Sequence, residues 1–386
     1  MTAATGRLAG ASAFGVSVAI SALAIAKYAP RVGVPSLAGA AAYAGAAVLA
    51  ARFVVRAPRP HPRLQRTLLA GLAAAVFLVT LAAVRAVPPD ALRVDRWSAM
   101  TAFNSALLDG RFPYLERTHL GSQLWGLPVA YLVGLPFQWL GDVGYLQAAV
   151  FAGFVLVCAR LYARDFDVVG PLVLLAASPA FLWEVAVRSD LLSNALLAAM
   201  FLMWCERWRA LKGASRMLTL GTALGLLACT RVVLLVPLSI YFVSYFRGHE
   251  RAAALTMLGS AAVAAAAVVA PFIWWAPASF ASNNPFLLQV GLSPVPLQAA
   301  VVTACLAAGV LARGFGARCL AGGLVLAGGV AAALLVRVAA VGWTGAVVQS
   351  GFDISYFDLA LPFLLVPLLF TRPLRGDGAA SVEVGG

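Results

Sequence analysis

The sequence predicts an all-α, polytopic membrane bundle of about twelve spans. Three observations lead there. The 386 residues are 62% hydrophobic and 11% charged, against roughly 45–50% and about 25% in soluble domains, and the mean hydropathy is +0.91. The apolar residues come in continuous runs rather than alternating, which excludes an outer-membrane barrel. Twelve spans of ~20 residues would absorb roughly 240 residues, close to the apolar share.

The runs fall at 8–27, 34–51, 67–87, 143–160, 168–183, 191–205, 217–230, 231–246, 252–275, 297–312, 319–341 and 356–370. The first is too long for the apolar core of a signal peptide and is followed directly by another, so it reads as a span. Residues 124–140 are apolar too, but they carry Pro128, Pro136 and two Trp. If they crossed, every later loop would invert. Charge counting decides: connections 160–167, 205–216, 246–251, 313–318 and 371–386 hold twelve Lys/Arg, and the alternate connections 184–190, 276–296 and 342–355 hold one. Basic residues accumulate on the cytoplasmic side. The five arginines of 52–66 belong there as well, leaving room for only two crossings before Arg160. Segment 124–140 is therefore expected to be re-entrant or interfacial on the outer face, with both termini cytoplasmic; Lys27 and Arg31 run against this pattern.

That division gives residues 1–66 as N-terminal spans with a basic loop, 67–251 as a core carrying the outer loop 88–142, 252–372 as C-terminal spans, and 373–386 as a flexible cytoplasmic tail. The outer loop is too rich in Trp, Phe and Tyr to be disordered. Within it, 96–108 reads as an amphipathic helix with Trp97, Met100, Phe103 and Leu107 on one face, ended by Asp109-Gly110 and lying with its aromatic side in lipid. Glycines 322, 323, 328 and 329 read as close-packing material.

The net charge of +13 follows from loop sidedness; no aromatic-interleaved basic stretch of the kind that holds single strands is present, so nucleic acid is not an expected partner. The five cysteines lie in apolar runs without metal-ligand spacing and read as small core residues.

Nine of the fifteen acids fall in outer positions. Charges inside a bilayer usually have a task or a way out. Arg85 and Arg337, near span ends, are expected to snorkel. Arg231 sits at the tip of a tight apolar hairpin and needs an anion: a lipid phosphate, for which guanidinium offers a fork, or an outer carboxylate. Asp95 opens the loop helix, as its N-cap or as a general base; Asp90, after two prolines, is the competing base or a turn residue. In Arg188-Ser189-Asp190 either of the last two could cap the next span. His119 is the outer histidine, solvated or catalytic. Asn283-Asn284-Pro285 is a turn that could touch sugar hydroxyls.

In order along the chain, Asp95 with Ala106-Leu107-Leu108-Asp109-Gly110-Arg111-Phe112-Pro113-Tyr114, then Val187-Arg188-Ser189-Asp190, then Gly221-Thr222-Ala223-Leu224-Gly225 running to Thr230-Arg231, and finally Ser355-Tyr356-Phe357 to Pro362, the pattern resembles the GT-C superfamily. These are integral-membrane glycosyltransferases that use polyprenyl-phosphate sugars; the likeness is to the bacterial mannosyl- and arabinofuranosyltransferase-like branch and covers residues 85–370. The resemblance implies an inverting transfer of mannose or arabinofuranose from a polyprenyl-phosphate donor to an envelope glycan or glycolipid acceptor. It places Asp95 or Asp90 as base, Arg231 and Arg188 on the donor phosphate, and Asp190, Tyr114, His119, Asn284 and Tyr356 around the substrate. Arg96 follows Asp95 where the family's paired acid would stand, and Gln123–Pro128 replaces its Tyr-Pro-Pro, so a requirement for a divalent cation, Mg or Mn, stays open. Scarce lysine in an Ala/Arg/Val-rich chain points to a GC-rich bacterium, hence to the periplasmic face of an inner membrane. The rival classes are a transporter or flippase, which usually shows mid-span charges or related halves, and a non-catalytic envelope scaffold.

Overall fold

The computed structural model describes residues 3–371, apart from 34, 210–212, 249 and 292; the expected tail 373–386 lies outside the described residues. The described chain is helical throughout, with no strand among those residues. Three long helices come first: α1 (Ala3–Tyr28), α2 (Ser36–Arg56) and α3 (Pro62–Ala86). The loop that follows contains α4 (Arg96–Leu108), α5 (Pro128–Leu132) and α6 (Leu135–Trp139). Then come α7 (Tyr145–Leu161), α8 (Val169–Ala176), α9 (Pro179–Ala186), α10 (Leu191–Trp208), α11 (Ala214–Ala228) and α12 (Leu235–Arg247). The last third holds α13 (Arg251–Trp275), α14 (Pro277–Ser282), α15 (Pro285–Val290), α16 (Val295–Leu311), α17 (Phe315–Trp343) and α18 (Leu361–Leu369).

Among the described residues, five helices are long and apolar enough to cross a membrane: α1, α2, α3, α13 and α17. Two bent pairs bring the number to seven if each is one span, α8 with α9 at 54° and α14–α15 with α16 at 62°. Proline at the start of α9 (Pro179) and at the N-cap of α16 (Pro294) stands at those bends, since the residue before a proline leaves the helical region. Four more apolar helical stretches are shorter, 10–17 residues.

Burial is inverted relative to a soluble protein. The helix α10 is enclosed by its neighbours and buries Ser193, Asn194 and ten apolar residues. It packs against α7, α12, α18 and the 3-10 turn Ile354–Ala360. At the perimeter α2, α3, α13 and α16 leave Leu49, Phe53, Phe77, Leu78, Val263 and Leu306 exposed. Apolar surface on that scale is a liability in water and neutral in hydrocarbon, so this is a protein of the lipid bilayer.

Where two perimeter helices must approach closely, glycine permits it. A Cβ on Gly221 would collide with Ser260 Oγ and the Met257 carbonyl, and one on Gly225 with the Ala261 carbonyl. The spacing Gly-x-x-x-Gly thus seats α11 directly on the backbone of α13.

The connections gather at two ends. At one, the Gln65 amide donates to the Ala163 and Phe166 carbonyls at 2.7 and 3.1 Å and accepts from Val168 N–H at 2.8 Å. Arg318, at the start of α17, meets Glu206 of α10 there, and Arg247 donates to the Val310 carbonyl at 3.3 Å. At the other end the 87–144 loop meets connections 187–190, 229–234, 276–294 and 344–355, through the contacts described below.

The loop departs from expectation in one respect. α4 does not turn its aromatic face to lipid. Met100, Phe103 and Ala106 are completely buried, and Phe103 packs on Tyr114, Tyr131 and Phe272 with ring centres 5.4, 4.8 and 5.6 Å away. The helix is a strut inside the protein because the apolar stripe has protein to bury against. Segment 124–140 is two five-residue helices broken at Gly134, far short of the ~20 residues a crossing needs.

Candidate functional site

Arg231 follows the last turn of α11 in extended conformation. The broken segment holds it in place: Leu127 N–H donates to the Thr230 carbonyl at 3.2 Å and Val129 N–H to the Cys229 carbonyl at 3.0 Å. Gln289 of α15 clamps the same junction, donating to the Trp125 carbonyl at 2.6 Å and accepting from Val232 N–H at 2.9 Å. The guanidinium then forks onto Asp190, with Nε 3.0 Å and Nη2 2.7 Å from Oδ2 and Nη2 2.8 Å from Oδ1. Of the two anions expected for Arg231, a carboxylate occupies Nε and Nη2. Nη1 has no protein acceptor among the described residues.

Asp190 itself is completely buried at the start of α10 and also accepts from Asn194 Nδ2 at 2.9 Å. It makes no capping bond with its side chain. Its expected place against substrate is taken by Arg231, and an isolated buried carboxylate would be prohibitively costly without that partner.

Arg188 is a correction of a different kind. It ends α9 with φ of 52°, Ser189 N–H reaching back to the Glu184 carbonyl at 3.0 Å. This is the left-handed cap usually given to glycine. The side chain secures it: Nε bonds Asp142 at 2.9 and 3.0 Å, and Nη2 bonds the Val84 and Val87 carbonyls at 2.9 and 3.0 Å. Gly144 leaves room for the stem, since a Cβ there would meet Arg188 Cγ at 2.8 Å. Arg188 staples α3, α7 and α9 together through Nε and Nη2, leaving Nη1 buried without a hydrogen-bond partner.

The second cationic group is Arg96 instead. Its side chain is buried, bonds Asp353 in the 344–355 connection, and lies 5.8 Å from the Tyr356 ring centre. Arg96 and Arg231 are close enough to repel electrostatically, and Tyr356, Asp353 and Asp190 face both. Asp353 is exposed. Partial desolvation by its neighbours would raise its carboxyl, but Arg96 first, then Lys27, the Ser355 N–H and Arg231, outweigh that and hold it below the ordinary carboxylate range. Behind this group lie two further buried carboxyl groups, Glu184, which is completely buried, and Asp358. Glu184 accepts from Leu192 N–H at 3.4 Å.

Arg96 was readable as more than a departure from a motif. It stands four residues before Met100 and seven before Phe103, on the buried stripe of its helix. The burial of both Glu184 and Asp358 behind it has no such signal, because the two residues are 174 positions apart.

The remaining expected residues lie around this centre or away from it. Asp95 precedes Arg96 at the N-terminus of α4, is half-buried, makes no capping bond with its side chain, and accepts from Thr118 Oγ1 at 3.0 Å. Its N-cap reading is therefore not realised. Asp90 is exposed in the 3-10 turn Pro89–Leu92. His119 is exposed, with Nδ1 2.8 Å from Ser98 Oγ. Tyr114 is buried, its hydroxyl donating to the Gly126 carbonyl at 3.2 Å. Asn284 is not free for sugar hydroxyls: it caps α15, accepting from Phe286 and Leu287 N–H at 3.0 and 3.4 Å. Arg337 is exposed and donates to the Gly351 carbonyl at 3.1 Å.

Beside Arg231, Ala228, Cys229, Val232, Ala265, Val269 and Phe286 line an apolar groove of about 360 Å³. All five cysteines are free and buried. Among the described residues no three His, Cys, Asp or Glu side chains converge as metal ligands.

Comparison with protein-family models, with curated proteins and with solved structures returns no match to this chain.

Proposed function

We propose that this protein is a membrane glycosyltransferase. It moves a sugar, mannose or arabinofuranose, from a polyprenyl phosphate to an envelope glycan or glycolipid at the outer face of a bacterial inner membrane. The chain crosses twelve times with both termini cytoplasmic, and the end that carries Arg96 and Arg231 faces outward.

One observation carries the reading. Two buried guanidinium groups, Arg96 and Arg231, each held by its own carboxylate and each with donors not engaged by protein, act electrostatically on one another and on Tyr356, and an apolar groove lies beside Arg231. A lipid phosphate matches that arrangement: its tail suits the groove, and its oxygens suit Nη1 of Arg231 and the open N–H groups of Arg96. Because Asp190 and Asp353 already position the two arginines, donors are preorganised for charge that grows on the leaving phosphate.

The acceptor hydroxyl oxygen attacks the anomeric carbon as the bond from that carbon to the phosphate oxygen breaks. The hydroxyl proton passes to Asp95, and polyprenyl phosphate leaves with the electron pair. A single displacement inverts the anomeric configuration. Asp95 suits the base because its side chain is half-buried and caps no helix.

A transfer assay on the reconstituted protein tests this, offering polyprenyl-phosphate mannose, arabinofuranose, glucose and galactose with a mixed envelope acceptor. Asp95→Asn is expected to lower turnover by about 10²–10⁴-fold, the usual worth of a general base, at unchanged folding. Arg231→Lys keeps the charge against Asp190 but lacks the fork, and is expected to raise KM for the donor. No turnover of any donor by wild type, with donor binding intact, would favour a transporter or scaffold and sink the enzymatic reading.

A further inference from the structure

The opposite end of the bundle holds a second polar group that the proposed reaction does not use. Glu206, in the last turn of α10, is the only carboxylate among its described members. Tyr241 of α12 donates to its Oε2 at 2.8 Å. Two arginines approach that same oxygen: Arg318 Nη1 at 3.5 Å and Arg209 Nη1 at 3.7 Å. Neither contact has hydrogen-bonding geometry. Nε and Nη1 of Arg318 and Nη1 of Arg209 are buried without a hydrogen-bond partner. The Arg318 side chain is 7% exposed, Arg209 21% and Glu206 11%.

Buried guanidinium donors are rarely left unmet, and each costs the full desolvation of the group. Here two of the three unmet donors approach one carboxylate oxygen, and two positive charges share one negative charge. The deficit is one anion with several acceptor oxygens. A phosphate group supplies that, with fork geometry matched to guanidinium. The rings of Tyr241 and Tyr245 support the cations, with Arg318 5.9 Å from the first ring centre and Arg209 5.9 Å from the second.

We infer that Arg209 and Arg318, with Glu206 and Tyr241, form a phosphate-binding site at the end of the bundle opposite Arg231. The phosphate is that of an anionic phospholipid headgroup or of a soluble phosphate. Glu206 competes with it, holding the arginines apart from a ligand while the site is empty. The site does not depend on the transfer reaction: it stands on its own contacts, and its test reads binding rather than turnover.

The test is thermal unfolding of the purified full-length protein, titrated separately with phosphatidylglycerol, phosphatidylcholine and inorganic phosphate. A rise in Tm with phosphatidylglycerol but not phosphatidylcholine supports a lipid headgroup. A rise with inorganic phosphate alone supports a soluble ligand. Arg318→Met is expected to weaken binding by about tenfold or more, the worth of one charge-assisted contact. Glu206→Gln removes the competitor and is expected to tighten it about tenfold; this variant and Arg209→Gln keep the inference testable if Arg318→Met does not fold. No response of wild type to phosphatidylglycerol or inorganic phosphate beyond that to phosphatidylcholine overturns it. So does equal binding by wild type and Glu206→Gln, which would mean a hydrated internal ion pair.

Discussion

The two ends of the bundle solve the same problem, buried arginine, in different ways. At the Arg231 end every buried guanidinium has its own carboxylate: Asp190 for Arg231, Asp353 for Arg96 and Asp142 for Arg188. At the other end Arg209 and Arg318 share Glu206. The first arrangement is locally neutral, so its arginines are positioned without a ligand and keep a few donors for one. The second is short of negative charge, so its donors are unmet until something brings an anion. Acids are concentrated at one end, and that distribution alone makes one end a preorganised cradle and the other a site waiting for a partner.

Removing a carboxylate from the neutral end is the severest way to break this contrast. Asp190→Ala leaves Arg231 buried and unpaired, and the expected loss is roughly 3–5 kcal/mol, the usual penalty for breaking one half of a buried pair. Thermal melting in detergent reads it as a large fall in Tm or as failure to accumulate. A loss below ~1 kcal/mol would mean that water reaches Arg231 and that the pair is not the frame of the site.

The opposite end should be held by neutral contacts more than by charge. Gln65→Leu deletes three hydrogen bonds and strands the Val168 N–H, for an expected loss of about 1–3 kcal/mol. Limited proteolysis in the 161–168 connection should sharpen in step with it. Melting unchanged from wild type would show that the clip is dispensable and that Glu206 and its arginines carry this end.

Asn284 separates a structural from a recognition role at the cradle. Asn284→Ala loses a helix cap, costing about 1 kcal/mol, and KM for acceptor should stay at the wild-type value. Asn284→Asp, which caps equally well, should restore the melting temperature. A raised KM in both variants would return Asn284 to the substrate.

The smallest expected effect concerns pH. Because the Asp353 carboxyl is held below its ordinary range, the stability it contributes is present above the unfolded value of about 3.9 and is lost as pH falls through the lower folded value. The side chain is exposed, so solvent screening keeps the effect under about 1 kcal/mol. Asp353→Asn should flatten only the acid limb of the stability profile, leaving neutral pH nearly unchanged.

Much of the plan was legible in the residues. That Arg231 had to find an anion followed from its place at an apolar hairpin tip, and that 124–140 could not be an ordinary span followed from Pro128, Pro136 and the charge balance of later loops. The choice of partners was not legible. Asp190 lies 41 positions from Arg231 and Asp353 lies 257 from Arg96, and acids of equal local merit, Asp90 and Asp95 among them, stand nearer to Arg96 in sequence. Arg188 looked as available as Arg231 until its side chain was seen to staple Asp142 and two carbonyls. Asn284 looked like a polar turn until its oxygen was seen to hold two N–H groups of α15.

The sequence by itself determined the solvent, because a hydrophobic fraction this high leaves no soluble alternative, and it determined where the chain breaks, because proline, glycine and charge interrupt helices locally. Only the tertiary structure decided which buried charge meets which. Ion pairing depends on separations of a few ångströms between residues far apart in the chain, and those separations are set by how α10 is enclosed by its neighbours rather than by any local pattern.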